Sequence, residues 1–487
     1  MLNFGAAPRA LDRAKTSVLI AGLAAILLAV TLGPTSWQLR PSGLLRDFNA
    51  FYCAGTAIAA HADPYLAEPL GTCERMPKPW GLSHQIPHLS MPAPLPPYAL
   101  APFVVLAHLP YGVAALAWLA ISLACVLSAA WALRALTGLP LAGTVASLAL
   151  VDGFAAMSQG QVVPVAVAGI AWAAWALSRE RYALAALCAA AAMIEPHVGL
   201  PACLALFLFV PRTRGMLAAC GVACAALSLG LVGFSQNAEY LHAVIPAHAL
   251  SELVNEKQLS LTYLAHQLGA SDALALRLGS LSYLVMLAAG LAAAKVLAER
   301  LETPALLAAL PVAFTLVGGP FVHAAQMAAA IPATTLMYAA LPRGRAALGA
   351  ALGLIAVPWV QFANLGPAFP LFVALAILAL AWSLGVERPL AVAALAGGAA
   401  LLSAVPAVFF TAIPDPTAAL ATAYEPGALA EKTWDVFVHA IAQSNGVAYT
   451  LAKVPTWLGL LALASISLGE TFRAGAIRRQ EHLTATR

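Results

Sequence analysis

Long runs of Ala, Leu and Val alternate with short polar or proline-rich stretches along the whole chain. A helix that crosses a hydrocarbon core needs about 20 mostly apolar residues. On that criterion the pattern predicts twelve spans, at residues 17–33, 111–136, 139–157, 161–178, 215–234, 276–297, 304–319, 321–341, 346–361, 368–386, 390–412 and 454–472. A transmembrane barrel would show two-residue alternation, which these runs lack. The spans are therefore read as helices, whose backbone groups are satisfied internally. Arg9, Arg13 and Lys15 precede the first span, but no small-x-small cleavage site follows before Gly33-Pro34, so it is read as a retained helix.

One apolar segment differs from the rest. Residues 182–211 have arginines just outside both ends and Glu195-Pro196-His197 at the middle. Proline breaks a helix interior, so the segment is predicted to be a helical hairpin with Glu195 and His197 at its tip. Polar backbone at such a tip must be buried in protein or line a wet cavity. A carboxylate there needs a partner, and His197 or an outer arginine would serve. A structural pair and a substrate contact are both open for these two residues.

Composition narrows the class. Hydrophobic residues make up 62% of the 487 and charged residues 9%, against about 45–50% and about 25% in a soluble domain. Mean hydropathy is +0.84. A soluble enzyme and a disordered chain are both excluded. The net charge of +4 is too small to argue for nucleic acid as a partner. Lys and Arg favour cytoplasmic segments. With the N-terminus inside, 17 of the 25 basic residues fall in cytoplasmic segments and 8 outside, and an even span count puts both termini in the cytoplasm. Residues 34–110, 235–275 and 413–453 then form long outer loops within one integral membrane domain, 1–487.

The first outer loop reads Arg46-Asp47-Phe48-Asn49-Ala50-Phe51-Tyr52-Cys53-Ala54-Gly55, followed by Asp63-Pro64-Tyr65. Phe48, Phe51, Tyr52 and Gly55 recur at three and four, which predicts a short helix with one apolar face, lying along the membrane surface. Asp47 is expected as its N-cap, and Asp63-Pro64 as its end. A plain cap, or a partner for Arg46, would account for Asp47 from spacing alone.

Asp47-Phe48, Tyr52-x-Ala54-Gly55 and Pro64-Tyr65 resemble the opening signature of glycosyltransferase family 87, integral membrane enzymes of the GT-C fold. Further along, Pro96-Pro97-Tyr98 with Pro102 and Pro110, Gly160-Gln161, the hairpin around Pro196, the stretch from Asn255 to Ser260, and Gly319-Pro320 with His323 resemble that family's later elements in the same order. Glu195 stands where the family carries Lys, and Gly319 where it carries Ser. The resemblance implies an all-α polytopic fold. It also implies transfer of a hexose, such as mannose, from a polyprenyl-phosphate donor to a hydroxyl of a lipid or glycan acceptor. The reaction is expected at the outer face of a bacterial inner membrane, with inversion and without metal or cofactor. Asp47 is then the expected general base, worth about 10²–10⁴ in rate. His323, Gln161, Arg46, Tyr52 and Lys257, with Glu195 and His197, are expected to shape the donor and acceptor pocket, because a departing phosphate needs cations or donors nearby. The chain has no Asp-x-Asp pair to clamp a nucleotide sugar through a metal.

Other constellations are weaker. His84 and His88 are four apart, but Pro87 lies between them, so they are read as loop residues and not as metal ligands. Of seven cysteines, Cys125, Cys188, Cys203, Cys220 and Cys224 lie in spans as small apolar fillers. Cys53 and Cys73 share the oxidising outer side and are expected to form a disulfide, two free thiols being the alternative. Trp37, Trp80, Trp434 and Trp457 suit an interfacial aromatic belt. The rival function is a lipid or solute transporter or flippase, which would show paired repeats and broken helices in both halves.

Overall fold

The computed structural model describes residues 45–79, 86–383, 388–411 and 414–485. The expected first span, 17–33, lies outside the described residues, as do His84, Trp37 and Trp80. The chain is an all-α polytopic membrane protein. Among the described residues, six helices are long and apolar enough to cross a membrane: Tyr111–Thr137, Leu141–Gln159, Pro211–Val254, Asp272–Arg300, Leu390–Val408 and Gly446–Gly475. A seventh is reached if Ala324–Ala340 and Pro342–Ala356, bent by 115°, count as one.

Several expected spans are shorter than a bilayer crossing. Val163–Ser178 has 16 residues and Leu306–Thr315 has 10. The apolar run 304–319 continues past Thr315, but the helix does not. Gly319 lies at φ +138° and Pro320 follows it, so the backbone turns there. The stretch 321–341 is likewise divided, into a 3₁₀ turn at Ala324–Ala330 and the helix Ile331–Ala340. Hydropathy registers apolar side chains but not the backbone break between them.

The converse occurs in two stretches expected as loops. Helix Arg214–Glu239, kinked at Gly233 (φ 75°, ψ −177°), leads through a π-helical turn, Tyr240–Val244, into Ile245–Ser251. Residues 413–453 hold the helix Thr417–Ala423 and the start of the long helix Glu431–Ala485. These helices carry polar residues that lower hydropathy, and helical structure resumes after the Gly233 kink.

The segment 182–211 forms Tyr182–Ala191 and Pro196–Phe209, with Glu195 at φ −119°, ψ 89° between them. Pro196 takes the first helical position of the second arm, where its missing N–H costs no bond. Gly199 lets the arms touch, since a Cβ there would lie 2.5 Å from the Ala192 carbonyl carbon.

In the first loop, helix Arg46–Ala59 is preceded by Leu45 at φ 60°. Leu45 therefore holds the cap position, and Asp47 lies in the first turn, correcting its assignment as N-cap. Its carboxylate still faces the positive end of the helix dipole. The helix is also packed into the protein rather than laid along a surface: Phe48, Ala50, Phe51, Ala54 and Ile58 belong to the main core. Gly55 permits that packing, because a Cβ would meet the Phe103 carbonyl oxygen at 2.4 Å. A disulfide joins Cys53 to Cys73, with Cα atoms 5.6 Å apart. It ties this helix to the next, Ala67–Arg75.

Candidate active site

The Asp47 helix is held against the turn after Leu141–Gln159. Leu45 N–H donates to the Ser158 carbonyl at 2.6 Å. Gly160 sits at φ +74°, and a Cβ on it would lie 2.3 Å from Phe48 Cβ, so only glycine fits between the two elements. Trp118 Nε1 donates to the Gly160 carbonyl at 2.9 Å and fixes the turn. Gln161, next in sequence, then reaches across. Its Nε2 donates to Asp47 Oδ2, while Arg46 Nε donates to Oδ1 at 3.1 Å. The carboxylate is oriented by one donor on each oxygen. An ionised carboxylate has about four acceptor sites, so each oxygen keeps room for a further partner.

Asp47 opens onto a cavity of about 210 Å³. Arg46, Gln161, Glu195, His197, Lys257 and His323 line the same cavity. Seven of the eight proposed pocket residues thus converge from segments far apart in sequence. Tyr52 does not. It donates to the Leu109 carbonyl at 2.9 Å and packs edge-on against Tyr111, so it belongs to the support of the Asp47 helix. The helical period explains this: Tyr52 is five residues past Asp47 and projects from another part of the helix.

The wall opposite in sequence is built on Glu252. Its Oε2 accepts from Asn255 Nδ2 at 2.6 Å and lies 2.9 Å from His323 Nε2, and its Oε1 accepts from Trp434 Nε1 at 2.7 Å. An isolated bridge between Gln258 and His323 brings the two segments together. Leu259 N–H donates to the Val322 carbonyl at 2.7 Å, and Ala324 N–H to the Lys257 carbonyl at 3.0 Å. Glu252 is 1% exposed and is contacted by Asn255, Gln258, His323 and Trp434, whereas the Asp47 side chain is 16% exposed and is contacted by Arg46 and Gln161 alone among the described residues.

Glu195 finds the partner its depth requires. His197 Nδ1 lies 3.3 Å from Glu195 Oε1, and Gln326 Nε2 donates to the same oxygen at 3.2 Å.

Charge on the cavity is unevenly compensated. Arg46 pairs with Asp47 and stacks over the Trp434 ring at 5.2 Å. Lys257 has no ion pair among the described residues. Burial, then the nearby Arg46 guanidinium, pull its ammonium from about 10.5 down to about 8. Glu431, buried in the first turn of the long helix, is pushed up to about 8 by burial, with the Glu252 charge adding to it.

Residues 95–322 match the sequence model of Glycosyltransferase family 87. That is the family whose motifs the chain resembles, and the match implies a membrane glycosyltransferase, which with these helices is a multi-pass one. Such an enzyme requires a sugar donor and an acceptor. The family 87 stretch contains Gln161, Glu195, His197, Glu252 and Lys257; Asp47 and His323 fall outside it. No curated protein and no solved structure gives a significant match.

Sequence reasoning missed Glu252, His248, Gln326, Gln361 and Trp434, all of which line the cavity. Trp434 had passed for a belt aromatic, yet it bonds Glu252 and stacks under Arg46. Glu252 lies three residues before Asn255, just outside the stretch from Asn255 to Ser260 that resembles a family element. Nothing in its spacing separates it from a surface carboxylate.

Proposed function

We propose that this chain moves a hexose, such as mannose, from a polyprenyl-phosphate donor to an acceptor hydroxyl, with inversion and with Asp47 as general base. The acceptor O–H proton passes to Asp47. The freed oxygen pair forms a bond to the anomeric carbon as the carbon–oxygen bond to phosphate breaks, and polyprenyl phosphate leaves with the electron pair of the broken bond. Arg46, Lys257 and His323 offset the charge on the departing phosphate. Gln161 and Arg46 hold Asp47 in register, which matters because general-base catalysis requires hydrogen-bond reach. The lipid tail places the reaction at a membrane face. The Lys and Arg distribution supports the periplasmic face of a bacterial inner membrane, with both termini cytoplasmic.

The observation that carries this reading is the Asp47 carboxylate on a cavity it shares with Arg46 and Lys257, in a chain that matches family 87. The experiment is to incubate the purified protein with a panel of polyprenyl-phosphate hexoses and membrane extract. Mass spectrometry then identifies the product, and NMR gives its anomeric configuration. A product of inverted configuration is expected. Turnover only with nucleotide sugars would overturn the donor assignment, and movement of lipid between leaflets without transfer would favour a flippase.

A further inference from the structure

Helix Trp359–Ala363 is five residues long and begins after Pro358. Trp359 and Phe362 pack into an apolar cluster with Leu150, Phe154 and Val373, while Val360 and Ala363 join the main core. Trp359 Nε1 donates to the Leu354 carbonyl at 3.2 Å and pins the helix start. The remaining side chain, Gln361, is the helix's one polar residue, and it lines the same cavity as Asp47. It is 6% exposed, yet neither its amide nitrogen nor its amide oxygen has a hydrogen-bond partner among the described residues. Buried polar side chains are normally bonded. An orphaned amide at a cavity wall is a group whose partner arrives with the ligand. His197 Nε2 and His248 Nδ1, on the same cavity, are also without a hydrogen-bond partner among the described residues.

We infer that Gln361 reads a pair of ring hydroxyls on the transferred sugar and so helps to set which hexose is accepted. This rests on the glycosyltransferase reading above. The argument is one of complementarity. A side-chain amide presents N–H donors at one end and an acceptor at the other. A phosphate offers only acceptors, so it would satisfy the nitrogen and leave the oxygen unpaired. Each hydroxyl of a sugar both donates and accepts, so a vicinal pair satisfies both ends at once. Arg46 and Lys257 suit the phosphate; uncharged Gln361 suits the sugar. Gln361 lies beyond residue 322, outside the stretch that matches the family.

The test compares the full-length wild-type protein with Gln361→Leu, using the polyprenyl-phosphate hexose that the wild type accepts and analogues lacking one ring hydroxyl each. A site built to bond a hydroxyl discriminates steeply against its absence. Wild type is expected to prefer the complete sugar over at least one deoxy analogue by about 10²-fold or more in kcat/KM. In Gln361→Leu that ratio collapses towards one, through loss on the complete sugar. Thermal stability without ligand stays the same or rises, because an orphaned buried amide has been removed. Stabilisation by the donor, measured in the same melts without turnover, falls. An unchanged ratio and unchanged donor stabilisation in Gln361→Leu would overturn the inference while leaving the glycosyltransferase reading intact. So would a large loss of thermal stability with kcat/KM preserved, which would make Gln361 structural. A wild type that neither turns over nor is stabilised by any such donor would overturn both.

Discussion

His323 Nε2 lies 2.9 Å from Glu252 Oε2, joining two segments that are 71 residues apart in the chain. The contact sits beside the Gln258–His323 bridge, so the imidazole is held by a backbone frame as well as by a carboxylate. Because Glu252 also bonds Trp434, one buried side chain connects three parts of the cavity wall. Breaking a buried pair by removing one member costs about 3–5 kcal/mol. Glu252→Ala is therefore expected to lower the thermal midpoint sharply in detergent, and Glu252→Gln to lower it less. Melts in which both variants match wild type would show that this junction is not structural.

Asp47→Asn preserves size and an acceptor oxygen for Gln161, but it cannot take a proton and loses the charge opposite Arg46. Turnover is expected to fall by about 10² or more, with donor-induced thermal stabilisation retained. Ordinary turnover in this variant would remove Asp47 from the role of base.

Lys257 gives a pH dependence with two opposite signs. Its ammonium falls from about 10.5 in the unfolded chain to about 8 in the fold. Between those values the unfolded chain binds more protons, so the Lys257 contribution to stability rises with pH from about 8 to about 10.5. Binding of a phosphate needs the charged form, so donor KM is expected to increase above about pH 8. Lys257→Arg keeps a charge throughout this range and should flatten both profiles. A donor KM that rises identically in Lys257→Arg would place the titrating group elsewhere.

The Cys53–Cys73 bridge anchors the helix that carries Asp47, closing a separation of 20 residues. Removing such a crosslink typically costs about 3 kcal/mol. Cys53→Ser with Cys73→Ser should lower the thermal midpoint, and turnover should drop further than stability alone accounts for as Asp47 loses its fixed position. In the native protein these two thiols should resist alkylation until reduced; ready alkylation under non-reducing conditions would contradict the bridge.

Orientation is testable at exposed positions. Single cysteines introduced at His61, Ser271 and Thr422 should be labelled by an impermeant reagent from the periplasmic side. Cysteines at Glu302 and Arg343 should be labelled only after the membrane is opened. Labelling of all five from the same side would refute the proposed topology.

The membrane class and helical architecture were legible in the sequence because they depend on transfer free energy summed over long windows, which composition alone determines. The break at Pro196 was legible because proline interrupts a helix interior wherever it stands; Gly160 and Gly319 were singled out only as parts of family-like motifs. Asp47 was identified by its resemblance to a family motif, not by local physics, and its expected place as N-cap was wrong by two residues. Which helices are long enough to cross, and which loops continue as helices, depended on backbone breaks that hydropathy does not register. The tertiary structure alone decided that Glu252 anchors His323, that Trp434 supports Arg46 and that Gln361 is left without a partner among the described residues. Each of these depends on residues hundreds or tens of positions apart meeting around one cavity. No local pattern encodes such a meeting, because a buried carboxylate and an exposed one are the same letter until the fold removes the water.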